Sequence, residues 1–178
     1  MREAPVITTP RLRLRPHRMD DMEAFWAFYQ TPRAAYVGAP KNRTHLFYGL
    51  SSEVVAWDWM GHGAWAVDTA EGEFVGQVAI TQPPHFPERE IGWTLFENAE
   101  GKGYATEAAT AALGWAWEQG FDTLVSYITP ENVRSRALAE RLGAILDANA
   151  PLPDGETPEE TVVYRHSPDI DGSPEAYA

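Results

Sequence analysis

The segment at residues 90–108, EIGWTLFENAEGKGYATEA, carries most of the fold information in this chain. Residues 91–96 predict a strand, and an alanine-rich helix is expected to follow the glycines at 101 and 103. The first turn of a helix has N–H groups without internal acceptors, and its dipole favours negative charge. Glycines let the backbone approach an anion without a Cβ in the way. Residues 100–106 are therefore predicted to cradle a phosphate group.

The rest of the chain alternates between strand and helix patterns. Strands are predicted at residues 11–15, 64–68, 74–81, 89–96, 123–128, 144–147 and 161–165, and helices at 20–30, 44–59, 101–119 and 130–142. The first helix is expected to be capped by Asp20 or Asp21. We find neither an internal repeat nor a linker, so the pattern predicts one mixed α/β domain over residues 1–166 and an acidic C-terminal tail at 167–178.

Composition narrows the range of functions. The 178 residues carry a formal charge of −12, which argues against nucleic-acid binding because phosphates would be repelled. No apolar run is long enough for a membrane span, and the N-terminus lacks the apolar core of a signal peptide, so a cytoplasmic protein is expected. The chain has no cysteine, and its 5 histidines show no metal-ligand spacing, so no metal is expected. Any acyl transfer would then pass directly from donor to acceptor.

Three further segments extend the pattern of residues 90–108: RLRLRP at 11–16, PENVRS at 130–135 and AERLGA at 139–144. In this order, the segments resemble the GNAT acetyltransferase family, in its ribosomal-protein N-acetyltransferase-like branch, over about residues 8 to 166. The resemblance implies an acyl-CoA N-acyltransferase fold, in which a bent mixed sheet has two central strands splayed apart. Acetyl-CoA would lie in that splay.

The resemblance also implies which residues hold the cofactor. Pantetheine would pair with the strand edge, and the pyrophosphate would meet N–H groups of residues 99 to 105. The implied cofactor-binding residues are Trp93, Leu95, Phe96, Gly101, Lys102, Gly103, Tyr104, Ala105, Thr106 and Asn132. One departure from the family pattern is Asn98, which stands where Gln or Arg is common, three residues before the first loop glycine.

Acetylation of an amine needs a base, because a free amine has a pKa near ~10. Glu90 is the favoured base, since it precedes the strand that lines the acceptor side in the family. His85 and Glu88 are the alternatives. A backbone N–H at residues 93–95 is expected to stabilise the oxyanion, because a splayed strand leaves such groups unpaired by its neighbour.

The leaving thiolate needs a proton or a hydrogen bond. Many members of the family use a tyrosine seven residues after the helix asparagine, but this chain has Ala139 there. Ser135 matches the branch that places a serine near the sulfur, and Asn132 would hold the pantetheine. Without the resemblance, Asn132 and Ser135 are explained equally well as a helix cap and a first-turn residue.

Three functions compete at this point. The leading hypothesis is acetyl transfer to a primary amine of a small molecule or a protein N-terminus. The alternatives are a CoA-binding module of the same fold without catalysis, and a nucleotide-binding α/β protein. By resemblance, the acceptor would meet the first two helices and residues 82–87, with Trp57 and Trp59 as further candidates, and the protein is a candidate homodimer.

Overall fold

Eight strands and four α-helices make up most of residues 2–168, the part of the chain that the computed structural model describes. The strands are β1 (Ile7–Thr8), β2 (Leu12–Arg15), β3 (Ala64–Thr69), β4 (Phe74–Thr81), β5 (Glu90–Leu95), β6 (Leu124–Ile128), β7 (Ile145–Leu146) and β8 (Val162–His166). The helices are α1 (Asp21–Tyr29), α2 (Arg43–Met60), α3 (Tyr104–Glu118) and α4 (Val133–Arg141). Of the predicted acidic tail, residues 169–178 lie outside the described part, so that division stays a prediction.

The strands form one sheet in the order β1-β2-β3-β4-β5-β6-β8-β7. All neighbouring pairs in it run antiparallel except β5 and β6, which are parallel and meet at a single residue pair, Glu90 and Val125. Beyond this pair the two strands separate. The predicted mixed sheet with a splayed centre is therefore confirmed.

Helices cover both faces of the sheet. Helix α3 packs against β2, β4 and β5, while α2 contacts β3 and β4 and α1 packs beside α2. The α3 interface is formed by small residues on the helix, including Ala108, Ala109 and Ala112, and larger ones on the strands, such as Val78 and Ile91. Alanine brings the helix close to the sheet, so the start of α3 lies directly beside the splay.

Two helix starts differ from prediction. Helix α3 begins at Tyr104 instead of residue 101, because Gly101 and Gly103 adopt left-handed φ angles of 70° and 78°, which a right-handed helix excludes. At α1, neither Asp20 nor Asp21 caps the helix. The Asp21 carboxylate instead accepts hydrogen bonds from Arg15 and from the Arg18 N–H.

Candidate active site

A cleft of about 1810 Å³ lies beside β5. Its walls include β5, the glycine loop (residues 100–103), the first turn of α3 and the start of α4. The predicted site residues that line it are Trp93, Leu95, Gly101, Gly103, Tyr104, Ala105, Thr106, Asn132 and Ser135. Residues from four separate elements are thus brought to one cavity.

Hydrogen bonds from Arg11 hold the glycine loop in shape. Arg11 donates from Nη1 to the Lys102 carbonyl at 2.7 Å and from Nε to the Glu107 carboxylate at 2.6 Å. The carboxylate of Glu107 also accepts from the Arg11 N–H at 2.9 Å. Because these bonds fix the loop, the free N–H groups at the start of α3 are pre-oriented toward the cleft. Glu107 therefore holds Arg11 in place beside the loop.

Parts of the predicted cofactor set are engaged elsewhere. The N–H groups of Ala99 and Glu100 donate to carbonyls of the preceding 3-10 turn, which restricts the phosphate-facing donors to later residues. The ring of Phe96 packs against Phe25, Phe28 and Phe74, and its N–H bonds to Val75. Neither Phe96 nor Lys102 lines the cleft. Side chains alternate between the two faces of a strand, so Phe96 faces away from the cleft that Leu95 lines. The Lys102 Nζ lies 5.9 Å from the centroid of the Tyr104 ring.

The exposed edge of β5 offers backbone donors. Phe96 donates its N–H to Val75 on β4, and the register pairs Thr94 with Gln77 on the same side. In an antiparallel pair the N–H groups alternate in direction. Those of Trp93 and Leu95 therefore point away from β4, toward the cleft, where the sequence predicted an oxyanion donor.

Side chains at the start of the splay replace bonds of the sheet. The Ser126 hydroxyl donates to the Ile91 carbonyl at 2.7 Å, although these residues belong to neighbouring strands. The Tyr127 N–H hydrogen-bonds the Glu90 carboxylate instead of a β5 carbonyl. The Ile91 carbonyl and the Tyr127 N–H therefore keep hydrogen-bond partners where the strands separate. The Glu90 carboxylate lies at this point of separation.

Glu90 is a partly buried carboxylate without a nearby cation. Burial, together with the negative charges of Glu156 and Glu53, raises its pKa to about 7, although the Tyr127 N–H opposes the shift. Within residues 2–168 Glu90 makes no salt bridge. A Cβ built on Gly92 would lie 3.8 Å from the Glu90 carboxylate, so this carboxylate extends along β5 over Gly92. Such a group exchanges a proton near neutral pH.

The two alternative bases lie in different surroundings. The Glu88 carboxylate forms a bidentate ion pair with Arg165, at 2.7 and 2.9 Å. His85 is exposed, and its ring packs against Phe86. Among the three predicted candidates, Glu90 thus combines burial with a pKa suited to proton transfer.

Helix α4 brings Ser135 to β5. The indole Nε1 of Trp93 donates to the Ser135 hydroxyl oxygen at 3.3 Å. A serine that accepts one hydrogen bond still has its own proton to donate. The Asn132 side chain caps α4 by accepting from the Ser135 N–H at 3.2 Å, and its amide nitrogen stays available. Ala139 is fully buried on another side of α4.

The opposite side of the sheet carries polar groups that sequence reasoning missed. The Glu53 Oε2, Gln77 Oε1 and Tyr127 hydroxyl are buried and have no hydrogen-bond partner among residues 2–168. Burial raises the pKa of Glu53, and raises that of Tyr127 to about 12. Since Glu53 also affects Glu90, these groups belong to one polar region. A carboxylate directly before the apolar run Val54-Val55-Ala56-Trp57 of α2 was the available signal for Glu53.

The predicted roles of two tryptophans at the acceptor site are not supported. Trp57 is buried in the core against Trp65 and Trp115, with its Nε1 donating to the Ala64 carbonyl. Trp59 is 83% exposed on the outer side of α2. Helical periodicity explains both outcomes, because residues two apart face opposite sides.

Within residues 2–168, no three His, Cys, Asp or Glu side chains are placed to hold a metal ion. No helix in the same range is long and apolar enough to cross a membrane.

Comparison with known proteins agrees with this geometry. A crystal structure of the acetyltransferase from Agrobacterium tumefaciens str. C58 superimposes with a TM-score of 0.84 at 42% sequence identity, covering 92% of this chain and 94% of that one. RimL, a ribosomal L7/L12 α-N-protein acetyltransferase solved in complex with coenzyme A, has a TM-score of 0.73 over 94% of this chain and 100% of its own. Its 17% identity establishes a shared fold alone.

Among curated sequences, the uncharacterised protein YkkB of Bacillus subtilis (strain 168) is 37% identical over 81 residues. The alignment covers 44% of this chain and 47% of YkkB, so the chain spans about half the length of that relative. The sequence model of the acetyltransferase (GNAT) domain matches residues 11–145, which includes the strand, the glycine loop and α4. The chain therefore belongs to the GNAT acetyltransferase family.

Proposed function

We propose that this protein transfers the acetyl group of acetyl-CoA directly to a primary amine, with Glu90 as the general base. The observation that carries the proposal is the position of Glu90, whose pKa is about 7, at the point where β5 and β6 part. A base of this pKa is half-ionised near neutral pH and can take a proton from an ammonium acceptor, directly or through one water.

The cleft residues fit acetyl-CoA. The first-turn N–H groups of α3 and the left-handed glycines suit its pyrophosphate, and the free N–H groups of β5 suit its pantetheine amides. Acetyl-CoA would supply the activated acetyl thioester. The N–H groups of Trp93 and Leu95 are the candidate donors to the acyl oxygen, and the Ser135 hydroxyl can donate to the leaving sulfur.

The acceptor is proposed to be a cationic amine. The negative charges of Glu53 and Glu156 act on Glu90, and the whole chain carries a charge of −12. Both features favour a positively charged acceptor over an acidic one. A small molecule and a protein N-terminus are both compatible with this chemistry. We further propose a cytoplasmic setting, in keeping with the cofactor, and a homodimer by analogy with the family.

Release of free CoA tests the proposal. The purified protein would be incubated with acetyl-CoA and an amine panel of diamines, monoamines and short peptides, and the new thiol measured with a colorimetric reagent. Because the chain has no cysteine, the enzyme itself contributes no background. We expect turnover with at least one cationic amine. If acetyl-CoA binds but no amine is acetylated, the chain acts as a CoA-binding module; if ATP displaces acetyl-CoA, it is a nucleotide-binding protein.

A further inference from the structure

The glycine loop contains a carboxylate, which would be expected to repel the phosphates of the cofactor. Glu100 directly precedes Gly101 and lines the cleft. Its carboxylate accepts from Arg134 Nη1 at 3.0 and 2.7 Å and also contacts the Arg33 guanidinium. Arg33 belongs to a 3-10 helix at Pro32–Tyr36, and Arg134 to the first turn of α4. One acidic side chain thus connects three elements around the cleft.

The charges in this cluster do not balance. Two guanidinium groups face one carboxylate, which leaves an excess positive charge next to the first turn of α3. The Arg33 side chain is 21% exposed, and its Nε is buried without a hydrogen-bond partner among residues 2–168. A buried guanidinium N–H without an acceptor is costly, because it has lost its water. The cluster therefore carries one more positive than negative charge, and the Arg33 Nε–H lacks an acceptor in it.

Phosphate suits these arginines better than the carboxylate does. Guanidinium groups bind phosphate oxygens in a bidentate, charge-assisted arrangement, and a pyrophosphate or a phosphate monoester offers more acceptor oxygens and more negative charge than one carboxylate. Both arginines line the same cleft as Gly101 and Gly103. A phosphate group at the loop would lie within the field of the two cations that now surround Glu100.

We propose that Arg33 and Arg134 bind phosphate groups of the acyl-CoA, and that Glu100 is an internal anion that holds both arginines at the cleft until phosphate replaces it. The proposal rests on the proposed function, since it requires acyl-CoA in this cleft. It assigns to Glu100 an effect opposite to that of the other cleft residues: Glu100 weakens cofactor binding, while it keeps the two arginines in place.

Calorimetric titration with acetyl-CoA tests the proposal through the sign of the Glu100 effect. We expect Glu100→Gln to lower the Kd about threefold, because the arginines lose their competing anion. Arg33→Ala and Arg134→Ala are expected to raise the Kd about three- to tenfold each, and Arg33→Lys to restore part of the loss. A purely structural role of the cluster predicts the opposite for Glu100→Gln, namely weaker binding and a lower melting temperature.

Two probes identify the phosphate that is bound. Pantetheine, which has no phosphate, should bind wild type and all these variants alike. If the rise in Kd caused by Arg134→Ala disappears with 3′-dephospho-CoA, Arg134 binds the 3′-phosphate. If the rise in Kd persists with this probe, Arg134 binds the pyrophosphate. The exposed ion pair of Glu23 and Arg43 lies outside the cleft, so Glu23→Gln and Arg43→Ala serve as matched controls with unchanged Kd.

The outcomes separate this proposal from the function on which it rests. If the unaltered protein does not bind acetyl-CoA, the proposed function fails, and this proposal fails with it. If the unaltered protein binds acetyl-CoA but Glu100→Gln binds no more tightly, or both arginine variants bind as wild type does, only the present proposal is overturned.

Discussion

Asp21 and Glu90 are two carboxylates removed from water, and their pKa values move in opposite directions. Burial acts to raise the pKa of both. At Asp21, hydrogen bonds from His17, Arg15 and the Arg18 N–H, together with the Arg15 charge, outweigh burial and hold the pKa well below its usual range. At Glu90 the neighbouring charges are negative, and the pKa rises to about 7.

The difference lies in whether the fold supplies a cation. The Arg15 guanidinium lies between Asp21 and Asp68 with four hydrogen bonds of 2.6 to 2.9 Å, all of them buried. This cluster is complete and joins β2, β3 and α1. Glu90 has one backbone N–H as its donor and stays ready to exchange a proton. One carboxylate therefore serves the structure, whereas the other is available for chemistry.

The largest effect is expected at Asp21. Asp21→Ala leaves the buried Arg15 with one carboxylate in place of two, and we expect the free energy of unfolding to fall by about 3 kcal/mol. Urea denaturation measures this change. Glu23→Ala removes an exposed carboxylate from the same helix and serves as the control, with little change expected. An unchanged urea midpoint for Asp21→Ala would contradict a structural role for the Arg15 cluster.

Replacement of the second carboxylate, Glu90, should lower the catalytic rate. Glu90→Gln keeps the size of the side chain but removes the base, so we expect kcat to fall about 100-fold or more at pH 7, with the acetyl-CoA Kd unchanged. Steady-state kinetics and calorimetry measure the two quantities. Glu88→Gln and His85→Ala are the controls and should keep most of the activity. Loss of activity in either control, with Glu90→Gln active, would transfer the role of base to that residue.

The pH dependence of activity follows from the ionisation of Glu90. The base acts when deprotonated, so kcat/KM should rise with pH through about 7 and then level off. Glu90→Gln should lose this ionisation from the profile. A wild-type profile that is flat between pH 5.5 and about 8 would be inconsistent with Glu90 as the base.

Stability should respond to pH with opposite signs at the two sites. Because the pKa of Glu90 is raised in the folded protein, its contribution to the free energy of unfolding is full below pH 4.5, the ordinary pKa of Glu. This contribution is lost as pH rises through about 7. Glu90→Gln should therefore gain about 1 to 2 kcal/mol relative to wild type between pH 5 and about 8. The Asp21 contribution is present above its ordinary value of 3.8 and is lost as pH falls below it. Urea midpoints measured from below pH 3.8 up to about pH 8 test both signs.

The smallest effect is expected at Ser135. Its hydroxyl is proposed to donate one hydrogen bond to the leaving sulfur, so Ser135→Ala should lower kcat by about tenfold with little change in KM. Ser135→Thr keeps the hydroxyl and should recover part of the rate. Equal rates for wild type and Ser135→Ala would leave Ser135 with its structural contact to Trp93 alone.

Most of the fold could be predicted from local patterns. The glycines at 101 and 103 predicted an anion-facing turn, and alternation predicted β2 to β6, because both depend on residues near one another in the chain. The short strand Ile7–Thr8 and the 3-10 helix Pro32–Tyr36 were missed, since two to five residues show no clear period. The start of α3 was placed three residues early, because the helix pattern does not reveal the φ angles of its glycines.

The sequence by itself determined the α/β class and predicted the phosphate loop and the candidate carboxylates, because motif spacing and periodicity are local properties. Only the tertiary structure decided what each charged group does. Arg15 reaches Asp68 across 53 positions, and Arg134 reaches Glu100 across 34. Cation partners and burial come from such long-range contacts, and these set the pKa of a carboxylate. The sequence therefore nominated Glu90, whereas the surroundings that separate it from Asp21 and Glu88 exist only in the folded protein.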